Sequence, residues 1–185
     1  MIIAGIDPGT RCMGLSLFST DDLIITGIDS YTIVASDWYK NDPTINRLSD
    51  LSQQQRLYGI IRQLMNIVLK HNVNIFAIES PYFTMAHPNA FKSLVLAIDS
   101  IKYALNSEVV GASIIDVAPL EAKSAVKVKN VKGVPTKTLV KNAISKNTEL
   151  NRFILVDDYS EHALDAVAIG YSYLIKLRQH AGVTL

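Results

Sequence analysis

Three apolar runs open the chain, at residues 2–7, 13–19 and 23–35, separated by short polar connections. Their spacing predicts three successive strands of an antiparallel meander. Residues 37–49 contain Asn41-Asp42-Pro43 and show no period, so a loop is expected there. Leu57, Ile60, Ile61, Leu64, Met65 and Val68 then recur at helical spacing, which predicts an amphipathic helix over 50–71. Residues 73–79 are almost wholly apolar, as suits a central strand covered on both faces. Helix is predicted over 88–106, strand over 110–117, and helix again over 119–126, where Pro119 takes a first-turn position that tolerates it. A lysine-rich loop around Gly133 and Pro135 precedes helices at 136–146 and 160–179.

Strands first and alternating units later imply an α/β fold with a mixed sheet flanked by helices. No repeat or break in composition divides the chain, so residues 1–185 read as one domain. A domain of that length buries roughly 70% of its unfolded surface, enough for a sizeable core.

Several charges stand where this pattern has no packing use for them. Asp7 ends the first strand before a Pro-Gly turn, and Glu79 ends the strand 73–79 before Ser-Pro. Alternation puts Ile3, Gly5 and Asp7 on one face, and Ile75, Ala77 and Glu79 on one face. If the two strands pair in parallel, both carboxylates emerge at the carboxyl edge, where open α/β sheets bind their ligands. His162 and Asp165, three apart, share a face near the start of the last helix, beside its apolar stripe of Leu164, Val167, Ala168, Tyr171 and Ile175. Singly, each has an ordinary explanation as a turn residue, a strand end or an early-helix acid. Together they favour a divalent metal site. Three close carboxylates cannot all stay ionised without a cation, and magnesium or manganese takes such oxygen ligands. An imidazole among them suits manganese or a flexible magnesium site better than calcium.

Charge along the chain suggests the substrate. Residues 122–148 carry seven lysines and no acid, which leaves a net −6 for the rest against a total of +1. A basic segment on an otherwise acidic protein is a footprint for a polyanion, although a solvated lysine-rich helix reads the same way. Hydrophobic residues make up 49% and charged ones 19%, which excludes a disordered chain. The longest uncharged apolar stretch, 166–175, is too short to span a bilayer. No signal-peptide pattern opens the chain, and the single cysteine, Cys12, excludes an intrachain disulfide or a cysteine metal cluster. A cytoplasmic protein is expected.

The segments Ala4-Gly-Ile-Asp-Pro-Gly-Thr-Arg-Cys-Met-Gly14, Phe76-Ala-Ile-Glu79 and Glu161-His-Ala-Leu-Asp-Ala-Val-Ala-Ile169 resemble the three signature segments of RuvC. RuvC is the Holliday junction resolvase of the ribonuclease H-like superfamily, and viral members of the family are known. Order and separations match from Met1 to about Tyr173. The resemblance implies a ribonuclease H-like five-stranded sheet, with three antiparallel strands followed by two parallel ones. It also implies that Asp7, Glu79, His162 and Asp165 hold two Mg²⁺ ions, with Mn²⁺ able to substitute, Asp7 bridging both. The expected reaction is two-metal hydrolysis that leaves 5′-phosphate and 3′-hydroxyl ends. Family members carry either Asp or His as the fourth ligand, so Glu161, Asp157 and Asp158 remain alternatives to His162.

The same resemblance places Tyr82 or Phe83 against DNA bases, and Lys123 and Lys137 beside the scissile phosphate. Lys127, Lys129 and Lys132 would extend the contact, and Arg11 either approaches a phosphate or pairs with a neighbouring acid. It further implies a homodimer that nicks two strands of a four-way junction symmetrically; any branch-migration partner stays open. The helix starting near Pro88, with its stripe of Phe91, Leu94, Val95, Ile98 and Ile101, is the candidate dimer surface, but a buried core face is preferred. Two other readings compete. A YqgF-like pre-ribosomal RNA nuclease shares the opening motif but is shorter and lacks so long a basic segment. A sugar kinase or chaperone-type ATPase needs a second glycine-rich phosphate loop that this chain lacks.

Overall fold

The computed structural model describes residues 1–41, 51–82, 88–129 and 131–183. Its elements run β1 (Ile2–Asp7), β2 (Cys12–Asp21), β3 (Ile24–Val34), α1 (Gln53–Lys70), β4 (Ile75–Glu79), α2 (Pro88–Glu108), β5 (Ser113–Val117), α3 (Pro119–Ala125), α4 (Thr136–Lys146) and α5 (Glu161–His180). The strands form one sheet in the order β3-β2-β1-β4-β5. β1, β2 and β3 pair antiparallel, whereas β4 pairs parallel to both β1 and β5. That is the mixed sheet, three antiparallel strands and then two parallel, expected from the element order.

Each face of the sheet has its own core. Ala4, Ile6, Leu15, Phe76 and Ile78 pack under α1 and α2, against Ile60, Leu64, Ile98 and Ile101. On the other face Ile3, Phe18, Ala77 and Val117 meet α3, α4 and α5 through Ala122, Val140, Val167 and Leu174. α1 begins with a reciprocal cap: the Ser52 side chain accepts from the Gln55 N–H while the Gln55 side chain accepts from the Ser52 N–H.

Several local expectations change. β5 starts three residues late, because Gly111 turns the chain at φ +71° and Val110 is left 96% exposed. The third strand, expected to reach Ala35, ends at Val34, and a 3₁₀ turn, Ala35–Tyr39, with Ala35 fully buried, runs into the expected loop 37–49; residues 42–50 lie outside the described residues. α5 is buried on nearly every side from Ala163 to Ser172 rather than along one stripe, since the sheet lies beneath it and α3 and α4 cover it. α2 divides: Ile98 and Ile101 are core, Phe91, Leu94 and Val95 are half-buried, and Leu96 and Tyr103 are exposed. No helix among the described residues is long and apolar enough to cross a membrane.

Candidate active site

Register brings the two strand-end acids together. β1 and β4 align with Ile6 opposite Ile78, so Asp7 and Glu79 follow side by side on strands roughly 4.8 Å apart. Both project toward the face covered by α5, as alternation requires. Beyond Glu79, Ser80 donates its N–H (2.8 Å) and hydroxyl (3.1 Å) to the Val117 carbonyl, which ties the exit of β4 to the end of β5.

The first turn of α5 is brought over this edge by small and hydroxylated residues. A Cβ on Gly14 would stand 1.8 Å from the His162 carbonyl oxygen, and one on Gly5 would stand 2.2 Å from the Ala166 oxygen. Only hydrogen fits at either position. Ser16 donates its hydroxyl to the Ala166 carbonyl at 2.8 Å, Ser30 donates to the Ala163 carbonyl at 3.0 Å, and Thr32 bonds the hydroxyl of the N-cap Ser160. These hydroxyls were missed in the sequence, although Ser16 occupies a fully buried strand position where a polar residue needs a reason.

The four candidate ligands are thereby gathered at one end of the sheet. His162 Nδ1 lies 2.7 Å from Asp7 Oδ2, and the Asp7 side chain is only 13% exposed. That bond raises the imidazole pKa above its ordinary value, against the opposing effect of burial and with help from the Asp7, Glu161 and Asp165 charges. Burial, followed by the charges of Asp7 and Asp165, pushes Glu79 up to about 7, and Lys123 opposes the rise. Asp165 is pushed up to about 6 by burial and then by Asp7, with His162 and Lys123 acting the other way. Three carboxylates thus share one electrostatic basin. They do not form a ready-made cage: among the described residues no three His, Cys, Asp or Glu side chains are gathered closely enough to hold an ion. The Asp7 carboxylate is turned onto His162 instead. As chemistry the donor set fits a hard divalent cation, because hard oxygen donors dominate and their mutual repulsion is what a cation relieves.

The other acids and bases near the site sort by their partners. Glu161 is engaged by Lys137 at 2.5 Å and Asp157 by Lys141 at 2.7 Å. Asp158 is exposed on the 3₁₀ turn Val156–Asp158. His162 alone among the fourth-ligand alternatives touches the trio through a hydrogen bond. Lys123, on α3, is close enough for its charge to lower both Glu79 and Asp165. Lys127, Lys129 and Lys132 are exposed and in no ion pair among the described residues. Arg11 is exposed on the turn after β1 and pairs with no acid among the described residues. Tyr82, three residues after Glu79, is 69% exposed; Phe83 lies outside the described residues.

No protein-family model and no curated protein sequence matches the chain. Solved structures do. Thermus thermophilus RuvC is similar at a TM-score of 0.65 and 18% identity, covering 99% of this chain and 98% of that one. The fold is that of the RuvC-like Holliday junction resolvases. T. thermophilus RuvC in complex with its Holliday junction substrate gives 0.64 at 16% identity over 99% and 97% of the two chains. A fowlpox virus resolvase with its Holliday junction DNA gives 0.50 at 16% identity over 96% and 99%. The mixed five-stranded sheet, flanked by five helices among the described residues, is thus the ribonuclease H-like architecture of these resolvases. Asp7 and Glu79 end the adjoining strands β1 and β4, and His162 and Asp165 lie near the start of α5, which packs over them.

Proposed function

We propose that this protein is a divalent-metal-dependent endonuclease that resolves four-way DNA junctions by hydrolysing phosphodiester bonds. The observation that carries the reading is the electrostatic coupling of Glu79 and Asp165 with Asp7 at one sheet edge, beside a lysine that faces them. Glu79 and Asp165, forced up against Asp7 by the fold, with raised pKa values and no ion pair of their own among the described residues, mark a functional site better than a structural one.

Asp7, Glu79 and Asp165 would hold the ions, two Mg²⁺ by family resemblance, with His162 completing the set once its ring leaves the Asp7 carboxylate. Bound there, the metal supplies a water of lowered pKa and neutralises charge on the phosphate. The chain's own residues do the rest. Lys123 orients the scissile phosphate and stabilises the negative charge that grows on it. Lys137 reaches the same phosphate only by leaving Glu161. Tyr82 offers an exposed ring to a base at the branch point, a contact of roughly 1 to 3 kcal/mol. Lys127, Lys129, Lys132 and Arg11 stand free to meet backbone phosphates. A second copy of the chain, which places a second centre on the opposing strand, is part of this proposal, as are 5′-phosphate and 3′-hydroxyl products.

Purified protein incubated with end-labelled four-way junction, linear duplex and structured RNA, in Mg²⁺, Mn²⁺, Ca²⁺ or chelator, tests the reading. Paired nicks confined to the junction and dependent on Mg²⁺ or Mn²⁺ are expected. Preferential cutting of RNA, or nicking that survives the chelator, would overturn it.

A further inference from the structure

Away from the carboxylates, α4, the turn that follows it and the second half of α5 enclose a half-open groove of about 1160 Å³. Ile175 and Arg178, on its floor and wall, lie about 15 and 20 Å along the α5 axis from Asp165 at 1.5 Å per residue. That volume exceeds the roughly 300–1,000 Å³ of a small-ligand pocket, so an extended ligand is the better fit.

The lining combines two chemistries. Lys127 and Lys129 approach from the segment after α3, and Lys146 and Arg152 from the end of α4 and the turn beyond it. All four are exposed and form no ion pair among the described residues; the Arg152 guanidinium lies over the Phe153 ring at 5.9 Å, and its charge also reaches Glu149. The one acid in the lining, Glu149, is already neutralised by Arg178, which donates from Nη1 at 2.9 Å and again from Nη2, and it also accepts a hydrogen bond from the Tyr171 hydroxyl at 2.9 Å. Between these cations the lining is mixed, with apolar Val131, Leu139, Ala143 and Ile175 beside Asn142, Asn147, Thr148 and Gln179.

We infer that this groove binds an unpaired strand of branched DNA, such as the single-stranded arm of a fork or flap. A duplex offers phosphates but hides its base faces, so the aliphatic part of the lining would stay wet beneath it. An unpaired strand can meet the cations with its phosphates, as in other single-strand grooves, and lay base faces on the aliphatic side chains in place of the aromatic ones such grooves use. Lys123, beside the carboxylates, and Lys127, in the groove, are four residues apart, so one strand can run from the cleavage centre into the groove. The choice of DNA as occupant rests on the nuclease reading, whereas the charge and shape of the groove do not. An acidic, apolar peptide shares part of the chemistry and is distinguished by the test.

Fluorescence anisotropy of a 5′-labelled twelve-residue oligothymidylate, measured in chelator so that no cleavage occurs, reads the groove separately from catalysis. The Lys146→Ala, Arg152→Ala double variant is expected to bind about tenfold more weakly. Its log affinity should fall less steeply with log salt, by about 1.4, at about 0.7 per lost phosphate contact. Lys70→Ala, at the end of α1 outside the groove, should bind as wild type and controls for the general loss of charge. Wild-type affinity in the double variant, an equal loss in Lys70→Ala, or displacement by poly-glutamate as readily as by unlabelled oligothymidylate would overturn the inference. Junction nicking by wild-type protein in Mg²⁺ reports on the nuclease reading independently.

Discussion

Glu79→Gln should make the metal-free protein more stable. Glu79 ionises near 7 in the fold against an ordinary 4.5, chiefly because it is buried and secondly because Asp7 and Asp165 repel its charge. A carboxyl whose folded pKa is raised contributes stability below its unfolded value and loses it as pH rises through the folded one. The wild type therefore becomes less stable between about pH 4.5 and 7, and remains so above. At 1.36 kcal/mol per pKa unit the upper bound is about 3 kcal/mol, and solvent screening of a partly exposed group reduces it to roughly 2 kcal/mol. Glutamine has the same shape and no charge. For a chain of this size about 2 kcal/mol corresponds to roughly 4–8 °C in Tm.

Circular dichroism melts in chelator should accordingly show Glu79→Gln 4–8 °C above wild type at pH 8, a range that follows from roughly 2 kcal/mol, and nearly level with it below about pH 4. Saturating Mg²⁺ should reverse the order, because binding at 100 times the dissociation constant stabilises the wild type by about 2.7 kcal/mol. A variant no more stable than wild type at pH 8, or a difference that does not change with pH, would refute the reasoning. Stability given up at one place for charge needed there is the trade-off expected of a working site.

Other perturbations test the scaffold and the surface. Gly14→Ala drives a methyl into the His162 carbonyl, so the start of α5 must shift; a loss of about 3 kcal/mol in urea titration is expected, with junction nicking lost too. Arg178→Ala leaves the partly buried Glu149 charge without its guanidinium and should lower stability by about 3 kcal/mol, visible in the same titration. Junction affinity measured in Ca²⁺ should fall by about 10³ between 50 and 200 mM salt if six lysines touch phosphates; a shallow dependence would remove the lysine segment from the interface.

Much of the site was legible because it depends on short periods. Two-residue alternation in β1 and β4 places Asp7 and Glu79 toward the same face, and a three-residue spacing places His162 and Asp165 at one helix end. The element order was enough for the mixed sheet. Contacts across long sequence separations left no such trace. The hydrogen bond from His162 to Asp7 spans 155 residues, and so does the one from Arg178 to the Leu23 carbonyl. Arg178, in a run that reads as a solvated helix end, is only 5% exposed because Glu149 folds back onto it. Lys137 and Lys141 read as free cations, yet each holds an acid brought near by the approach of α4 to the start of α5. The start of β5 was misplaced because a glycine turn overrides the β propensity of the two valines before it.

The central claim is that Asp7 belongs to a metal centre that cuts branched DNA. It is tested most directly by comparing wild type and Asp7→Asn on an end-labelled four-way junction in Mg²⁺, with binding measured in parallel in Ca²⁺. Wild type should give symmetric paired nicks, whereas Asp7→Asn should bind the junction and leave it intact. Nicking by Asp7→Asn at the wild-type rate would contradict the claim.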